Sequence, residues 1–214
     1  MISAVIFDFD GTIVDTEWSE FTTIQNEYRL LGHEYTLATF LEGVGRGDGR
    51  HWSEVLQDIT GPLEDIELIV ARRKKAHHDM ITASEVRPGV LALMDRVDEH
   101  GKALAVASSS PMVWVERHLR SRNLFDRFQF IATRDLVEHA KPWPDVFLVA
   151  AKQLGVDPAE CLVIEDSHHG VAAAKAAGMT CVAVPNPVTV ASDLTAADLV
   201  LDSLADLPYA RFDL

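Results

Sequence analysis

Apolar residues along this chain form two alternating patterns, short continuous runs and longer stretches at helical spacing. The continuous runs occupy residues 2–7, 103–107, 128–132, 161–164, 181–184 and 199–201. Runs of this length are typical of strands buried on both faces of a parallel sheet. Helical spacing fills the intervals from residue 90 onward, over 90–100, 114–120, 146–154 and 170–177. The alternation predicts an α/β fold, in which a Rossmann-like parallel sheet forms a core flanked by helices.

The pattern departs from this alternation between the first run and about residue 82. Apolar residues lie at helical spacing from Phe21 to Leu31, and Gly32 ends that helix. Two further helical stretches follow at 52–59 and 64–81. These features predict a small all-helical unit placed between the first strand and the rest of the sheet.

The length of the chain suits this division. The 214 residues, 48% of them apolar, are enough for one compact core and one insert. We predict an α/β core made of residues 1–14 and 83–214, with a helical cap domain at 15–82 inserted after the first strand.

Composition and charge exclude several classes of partner. The chain has 19 basic against 33 acidic residues, a net charge of −14, which argues against nucleic acid or an anionic membrane surface. No apolar run approaches the ~20 residues of a membrane span, and Asp8 comes too early for a signal peptide. Cys161 and Cys181 both lie in apolar runs and are expected to be reduced. We therefore expect a cytoplasmic monomer that acts on a small molecule.

Polar side chains follow several of the predicted strands at the point where each strand ends. They are Asp8 and Asp10, the serines 108–110, and the pair Glu165 and Asp166. Because the carboxyl ends of parallel strands meet at one edge of a sheet, these side chains should converge. Two carboxylates 4 Å apart repel by roughly 4 kcal/mol at an effective dielectric constant near 20. An oxygen-only set of this kind predicts a hard divalent cation, Mg²⁺.

Two further side chains fit such an anionic site. Lys141 lies in the segment HAKPWPDVF, where Pro142 and Pro144 restrict the backbone. A lysine held in this way can bind a phosphate oxygen and balance the carboxylates. Ser108, at the end of its strand, offers a hydroxyl. Helix capping by Asp166 and Ser167 is also expected, but it explains neither Glu165 nor the first aspartate pair.

These segments together resemble the haloacid dehalogenase superfamily, in its phosphatase and β-phosphoglucomutase-like branch with a helical cap. The segment DFDGTIVDTE is similar to the first family motif, Ser108 to the second, Lys141 in KPWPDVF to the third and VIEDSHHGVAAAKAAGM to the fourth. The motifs occur in the family's order and span residues 3 to about 187. The insert is the part least similar to the family.

The resemblance implies a role for each matching residue. Asp8 is then the nucleophile that takes the phosphoryl group, and Asp10 the general acid and base. The implied Mg²⁺ ligands are Asp8, the main-chain carbonyl of Asp10, Asp166, and Glu165 directly or through water. The groups implied to bind or stabilise the phosphoryl group are Ser108, Ser109, Lys141, Thr12 and the amides near Gly11.

The insert adds weaker candidates. In the loop GVGRGDGR (residues 43–50), the glycines are expected to act as hinges, and Arg46 lies where relatives place a residue that contacts substrate. A structural loop is the open alternative for Arg46, and Arg50 is the less favoured arginine. The loop does not match a dinucleotide fingerprint.

Further along the insert and in the core, several motifs favour structural interpretations. The basic run ARRKKAHHD is read as a solvated helix face, from which Arg73 could face the cleft. The pairs His77–His78 and His168–His169 lack partners at zinc-ligand spacing. Three tryptophans are assigned to packing: Trp143 over Lys141, and Trp18 and Trp52 in the cap core or the cleft wall.

The leading hypothesis is a Mg²⁺-dependent phosphatase that acts on a small phosphomonoester, for which a sugar phosphate is the expected substrate. A β-phosphoglucomutase-like mutase is the alternative within the family, but those mutases carry a histidine shortly after the position of Thr16, and here residues 17–20 read EWSE. A signalling receiver domain would be shorter and lack the insert. A catalytically inactive phosphate-ester binding protein remains the alternative from a different class.

Overall fold

The structure, a computed structural model, describes residues 1–46 and 50–214. The strands in these residues are β1 Ala4–Phe7, β2 Ala103–Ser108, β3 Phe130–Thr133, β4 Cys161–Glu165, β5 Thr180–Ala183 and β6 Leu199–Val200. They form one parallel sheet in the order β3–β2–β1–β4–β5–β6. The predicted α/β class with a parallel sheet is confirmed.

Helices cover the sheet and fill the segment after β1. In chain order they are α1 Glu17–Leu30, α2 Leu37–Leu41, α3 Trp52–Thr60, α4 Ile66–Ala83, α5 Val90–Glu99, α6 Met112–Arg120, α7 Asp145–Leu154 and α8 His168–Ala176. The short helix α2 had no prediction, because its five residues are too few to show a helical period. No helix in the described part of the chain is long and apolar enough to cross a membrane.

The central strand β1 shows why the strands read as continuous apolar runs. Val5 and Phe7 pack into one hydrophobic cluster, and Ala4 and Ile6 pack into another on the opposite face. All four residues are completely buried. A strand covered on both faces needs apolar side chains at every position, so its sequence does not alternate.

The helices α1 to α4, residues 17–83, form what we call the insert. It has its own hydrophobic cluster, in which Phe21, Tyr28, Phe40, Trp52 and Leu56 pack together. Burying each large apolar side chain stabilises the fold by roughly 1.5–3 kcal/mol.

The two connections between insert and sheet run side by side. Val14 forms a bridge with Val86, and the Arg87 N–H donates to the carbonyl of Ile13 at 2.9 Å. This pairing fixes where the insert leaves the core and where it returns.

Candidate active site

Lys141 lies at the centre of a buried charge cluster at the carboxyl end of the sheet. Its Nζ is 2.5 Å from Asp8 Oδ1 and 2.7 Å from Glu165 Oε1. The three side chains are between 0 and 8% exposed. Asp8 follows β1 and Glu165 ends β4, its neighbour in the sheet. The convergence expected from strand ends therefore occurs for these residues.

The turn between β4 and α8 fixes Glu165 on its other side. Glu165 Oε2 accepts the N–H groups of Asp166 and Ser167 at 2.9 and 2.8 Å, and the Ser167 hydroxyl at 2.9 Å. Gly170 leaves room for this carboxylate, because a Cβ there would stand 1.7 Å from Oε1. Both oxygens of Glu165 are thus engaged within the protein.

Asp166 is oriented by two neutral donors. The Thr12 hydroxyl donates to Oδ1 at 3.2 Å, and the Asn186 amide donates to Oδ2 at 2.6 Å. Gly11, at φ +79°, allows Asp166 to approach, since a Cβ at residue 11 would stand 2.3 Å from Oδ2. Thr12 is therefore part of the site, although its hydroxyl points to Asp166 here.

Asp10 has entirely different surroundings from Asp8. Its Oδ1 accepts the Thr16 hydroxyl at 2.9 Å and the Trp114 indole N–H at 2.8 Å. Its Oδ2 accepts the Ser110 hydroxyl at 2.6 Å and that of Ser108 at 3.4 Å. Four neutral donors hold the carboxylate in place. Asp8, by contrast, is held by a cation.

Burial makes Asp8 and Asp166 costly to ionise. It raises the pKa of Asp8 to about 8, a shift that the Lys141 ammonium opposes and Glu165 and Asp10 reinforce. Burial, Glu165 and Asp8 also raise the pKa of Asp166 well above its usual range. The pKa of Lys141 is raised too, because the attraction of Asp8 and Glu165 outweighs the effect of burial.

These groups fit a divalent cation. Asp8 and Glu165 share one ammonium, the buried Asp166 has only neutral hydrogen-bond donors, and Asp8 Oδ2 is buried with no hydrogen-bond partner. A cation at Asp8 and Asp166 would neutralise the excess charge, and carboxylate oxygens are the ligands that Mg²⁺ prefers. Over residues 1–46 and 50–214, however, no three His, Cys, Asp or Glu side chains are grouped as a ready-made metal cluster. Lys141 already engages Glu165 and one oxygen of Asp8. A cation here would therefore be held by the carboxylates of Asp8 and Asp166, together with main-chain oxygen or water.

A cleft of about 1040 Å³ opens between the insert and this edge of the sheet. Asp8, Asp10 and Asp166 line it from the core, and Ser108 and Ser109 lie beside them. From the insert, its charged lining residues are Glu17, Glu20, Glu42, Arg46, Arg50, Arg73 and Lys74. The cleft therefore brings the aspartates of the core to face a wall with charges of both signs.

Two residues of α1 and one of α4 form the charged wall nearest the aspartates. Arg73 donates to Glu20 at 2.7 Å and is only 8% exposed. Glu17 is also 8% exposed, and burial with the nearby Glu20 and Asp166 raises its pKa well above its usual range. The prediction that Arg73 faces the cleft agrees with this geometry.

The other predicted binding residues lie near the cleft, and several of them already have hydrogen-bond or ion-pair partners within the protein. The Ser109 hydroxyl donates to the carbonyl of Gly45 at 3.0 Å, which joins core and insert. The Gly11 N–H donates to the Val14 carbonyl at 2.8 Å, so this amide is already used. Arg46 lines the cleft, whereas Arg50 pairs with Asp58 at 2.8 Å. The predicted hinge glycines at 47 and 49 lie outside the described residues.

Two of the packing assignments for tryptophan are wrong. Trp143 is 58% exposed and contacts the ring of His139, so it does not cover Lys141. Its position between two prolines suggested packing, but the side chain turns outward. Trp18 is 45% exposed and lies against Phe21 at the surface of the insert. Trp52 is buried and lines the cleft, as predicted.

Several site residues had no prediction. Trp114, Asn186 and Glu17 contact or face the aspartates, yet none lies in a strand-end acidic pair. Trp114 lies in the amphipathic helix α6, where the pattern predicts that an aromatic residue packs in the hydrophobic core. Ser110, by contrast, belongs to the predicted polar run 108–110 at the end of β2, and its hydroxyl donates to Asp10.

Residues 5–184 match the model of the haloacid dehalogenase-like hydrolase family. YhcW of Bacillus subtilis (strain 168), whose name gives it as a candidate phosphatase, is 40% identical over 210 residues, which cover 98% of this chain and 96% of that protein. The fructose-1-phosphate phosphatase YqaB of Escherichia coli (strain K12) is 34% identical over 188 residues, 85% of this chain and 96% of YqaB.

A solved structure agrees over the whole length. The crystal structure of a CbbY variant from Rhodobacter sphaeroides in complex with xylulose-(1,5)bisphosphate superposes with a TM-score of 0.79 at 28% identity, covering 100% of both chains. A match of the family model from β1 to the loop after β5, together with these relatives, leaves one assignment: the chain belongs to the haloacid dehalogenase-like hydrolase family.

Proposed function

We propose that this chain is a Mg²⁺-dependent phosphatase that hydrolyses a small sugar phosphate through an aspartyl-phosphate on Asp8. The observation that carries the proposal is the contrast between its two aspartates. Asp8 lies 2.5 Å from a buried ammonium, whereas Asp10 lies among hydroxyl and indole donors at the cleft. A nucleophile and a proton carrier need such different surroundings.

The chemical steps follow from these positions. The Asp8 carboxylate attacks phosphorus, the phosphorus–oxygen ester bond breaks, and Asp10 gives its proton to the leaving alkoxide. Water then attacks the aspartyl-phosphate while Asp10 takes a proton from it, which releases phosphate and restores both carboxyl groups. Lys141 stays near the Asp8 oxygen and balances charge on the transferring group.

Mg²⁺ bound by Asp8, Asp166 and the Asp10 main-chain carbonyl would supply charge neutralisation of the phosphoryl group. Of the two expected roles of Glu165 toward the metal, direct or through water, the engagement of both its oxygens within the protein leaves the contact through water. Glu165 supports the site in a second way, because it fixes Lys141 from the side opposite Asp8. Ser108 and Ser109 line the cleft, where their hydroxyls can donate to phosphate oxygens once a substrate displaces their present contacts.

A sugar phosphate is supported by the cleft and by the relatives. Carboxylates and guanidinium groups on the insert wall can bind hydroxyls, and Arg46 suits a second anionic group. YqaB is named for fructose 1-phosphate, and the CbbY structure holds a pentulose bisphosphate. The buried, unpaired cysteines Cys161 and Cys181 are consistent with a cytoplasmic setting.

Phosphate release by the purified protein tests the proposal. The panel should contain fructose 1-phosphate, hexose 1- and 6-phosphates, xylulose 1,5-bisphosphate, phosphoglycolate, nucleoside monophosphates and pyrophosphate, each with Mg²⁺ and with EDTA. We expect metal-dependent turnover concentrated on sugar phosphates, abolished in Asp8→Asn. Binding of these esters without turnover at millimolar Mg²⁺ would instead establish an inactive binding protein.

The same panel separates hydrolysis from phosphoryl transfer between sugar positions. Where mutases of the family carry a histidine, this chain has Glu17 and Glu20, and Glu20 is paired with Arg73. We therefore expect free phosphate from hexose 1-phosphate. Formation of hexose 6-phosphate in the presence of a sugar bisphosphate primer would identify a mutase.

A further inference from the structure

Trp114, on helix α6, makes a direct contact with the carboxylate to which the proposed function assigns proton transfer. Its indole N–H donates to Asp10 Oδ1 at 2.8 Å. The Thr16 hydroxyl donates to the same oxygen at 2.9 Å. Because both donors act on Oδ1, they fix the rotation of the carboxyl group as well as its position. Trp114 also lines the cleft, so this contact lies where a substrate would be bound.

Helix α4 of the insert reaches this pair of donors through His77. The ring of His77 stacks on that of Trp114, with centroids 5.5 Å apart and planes at 22°. Its Nε2 lies 3.4 Å from the main-chain carbonyl of Thr16. His77 is 5% exposed, and burial lowers its pKa, so the neutral ring is favoured at this position. One insert residue thus contacts both residues whose side chains donate to Asp10 Oδ1.

We propose that Trp114 is a positioning residue for Asp10, and that His77 orders Trp114 and Thr16 when the insert packs on the core. The inference rests on the proposed function, because it concerns proton transfer by Asp10. Through Trp114 and Thr16, His77 then connects the insert to Asp10 without using any of the residues proposed to bind phosphate. A carboxyl group held at one oxygen by two ordered donors loses little orientation when it gives or takes a proton.

The test compares esters that differ in their need for a proton on the leaving group. The leaving group of p-nitrophenyl phosphate departs unprotonated, whereas a sugar alkoxide needs the proton of Asp10. Trp114→Phe keeps an aromatic ring and removes the N–H together with the five-membered part of the indole. We expect its kcat/KM to fall on the order of tenfold for the best sugar phosphate and by less than threefold for p-nitrophenyl phosphate.

A second variant tests the role of His77. His77→Phe retains an aromatic ring against Trp114 and removes the contact with the Thr16 carbonyl. We expect a smaller loss in kcat/KM with the same dependence on the ester. The double variant should lose less than the product of the two single effects, since both act through Asp10. If the loss of kcat/KM in the double variant equals the product of the two single losses, His77 and Trp114 do not act together on Asp10.

The control is Trp143→Phe, because Trp143 is 58% exposed and contacts only the His139 ring among the described aromatic residues. Its activity on both esters should equal that of the wild-type protein. Equal losses on both esters in Trp114→Phe, in step with a lowered melting temperature, would reduce Trp114 to a packing role. An increase in kcat/KM for the sugar phosphate would overturn the inference as well.

The inference and the proposed function can fail separately. A wild-type protein that releases no phosphate from any ester contradicts the proposed function. Asp10→Asn with an ester-dependent loss, beside Trp114→Phe without one, supports the proposed function and overturns this inference alone.

Discussion

Lys141 and Asp8 form a buried ion pair with 2.5 Å between Nζ and Oδ1, and each residue is no more than 6% exposed. The two residues are 133 positions apart in the chain. Their contact joins the loop after β1 to the loop before α7. Glu165, 2.7 Å from the same ammonium, completes the cluster. Removing Lys141 from this cluster leaves two buried carboxylates without compensation, whereas removing Asp8 leaves Lys141 paired with Glu165.

Lys141→Met is therefore expected to destabilise the fold by about 3–5 kcal/mol and to abolish turnover. The variant loses the ammonium between two buried carboxylates while keeping a side chain of similar length. Urea denaturation at pH 8 measures the change in unfolding free energy. The matched control is Lys175→Met, because Lys175 pairs with Asp198 at 2.6 Å with both side chains more than a third exposed. That change should cost less than about 1 kcal/mol, and equal costs for the two variants would contradict the buried cluster.

Asp8→Asn should remove activity without weakening the metal-free fold. Burial raises the pKa of Asp8 to about 8, so an ionised Asp8 is unfavourable in the absence of a cation. The amide keeps the shape and removes that charge. Thermal melts at pH 7.5 should show an unchanged or higher melting temperature for the variant in EDTA. Added Mg²⁺ should raise the melting temperature of the wild-type protein more than that of the variant.

A reversed order of these shifts would show that Asp8 does not bind the cation. An unchanged rate of phosphate release in Asp8→Asn would exclude Asp8 as the nucleophile.

Gly170→Ala tests how tightly Glu165 is held. The new Cβ would stand 1.7 Å from Oε1 of a completely buried carboxylate. Overpacking of this kind lowers the unfolding free energy by about 1–3 kcal/mol. We also expect a large loss of kcat, because Glu165 positions Lys141. The control is Gly101→Ala, which has open space around its Cβ and carries only the strain of a φ of +61°. A Gly170→Ala variant with wild-type kcat would show that the position of Glu165 is not needed.

The unfolding free energy should depend on pH partly through the titration of His118. This histidine is 2% exposed, and burial together with the positive charge of Arg122 lowers its pKa to about 4. An unfolded histidine has a pKa near 6.5. Between these values the unfolded chain binds a proton that the folded chain does not, so this contribution to stability is complete above about pH 6.5 and falls as the pH is lowered toward 4.

The buried carboxyls Asp8, Asp166 and Glu17 work in the opposite sense, because their pKa values are raised on folding. The measurement must therefore be a difference between two proteins. We expect the unfolding free energy of His118→Phe, minus that of the wild-type protein, to become more positive from pH 7 to pH 5. A difference independent of pH would show that His118 titrates normally in the folded protein.

The residues around Asp10 show the limit of what a single sequence reveals. Asp8, Asp10, Glu165 and Asp166 could be predicted to converge, because parallel strands carry their carboxyl ends to one edge and strand-end polar residues have no place in a buried sheet. Trp114, His77 and Asn186 could not, because each lies in a segment whose local pattern is explained by helix packing or by a turn. Their contacts exist only after α4, α6 and the loop beyond β5 have been brought to the same edge.

The sequence by itself determined the α/β class and the acidic strand ends, and it predicted a helical insert after the first strand. Each of these depends on a local period or on the residue that ends an apolar run. Tertiary structure alone decided that β1 lies between β2 and β4, that Glu165 binds Lys141 with one oxygen and its own turn with the other, and that Trp143 turns outward. These outcomes depend on distances between residues far apart in the chain, which no local pattern encodes.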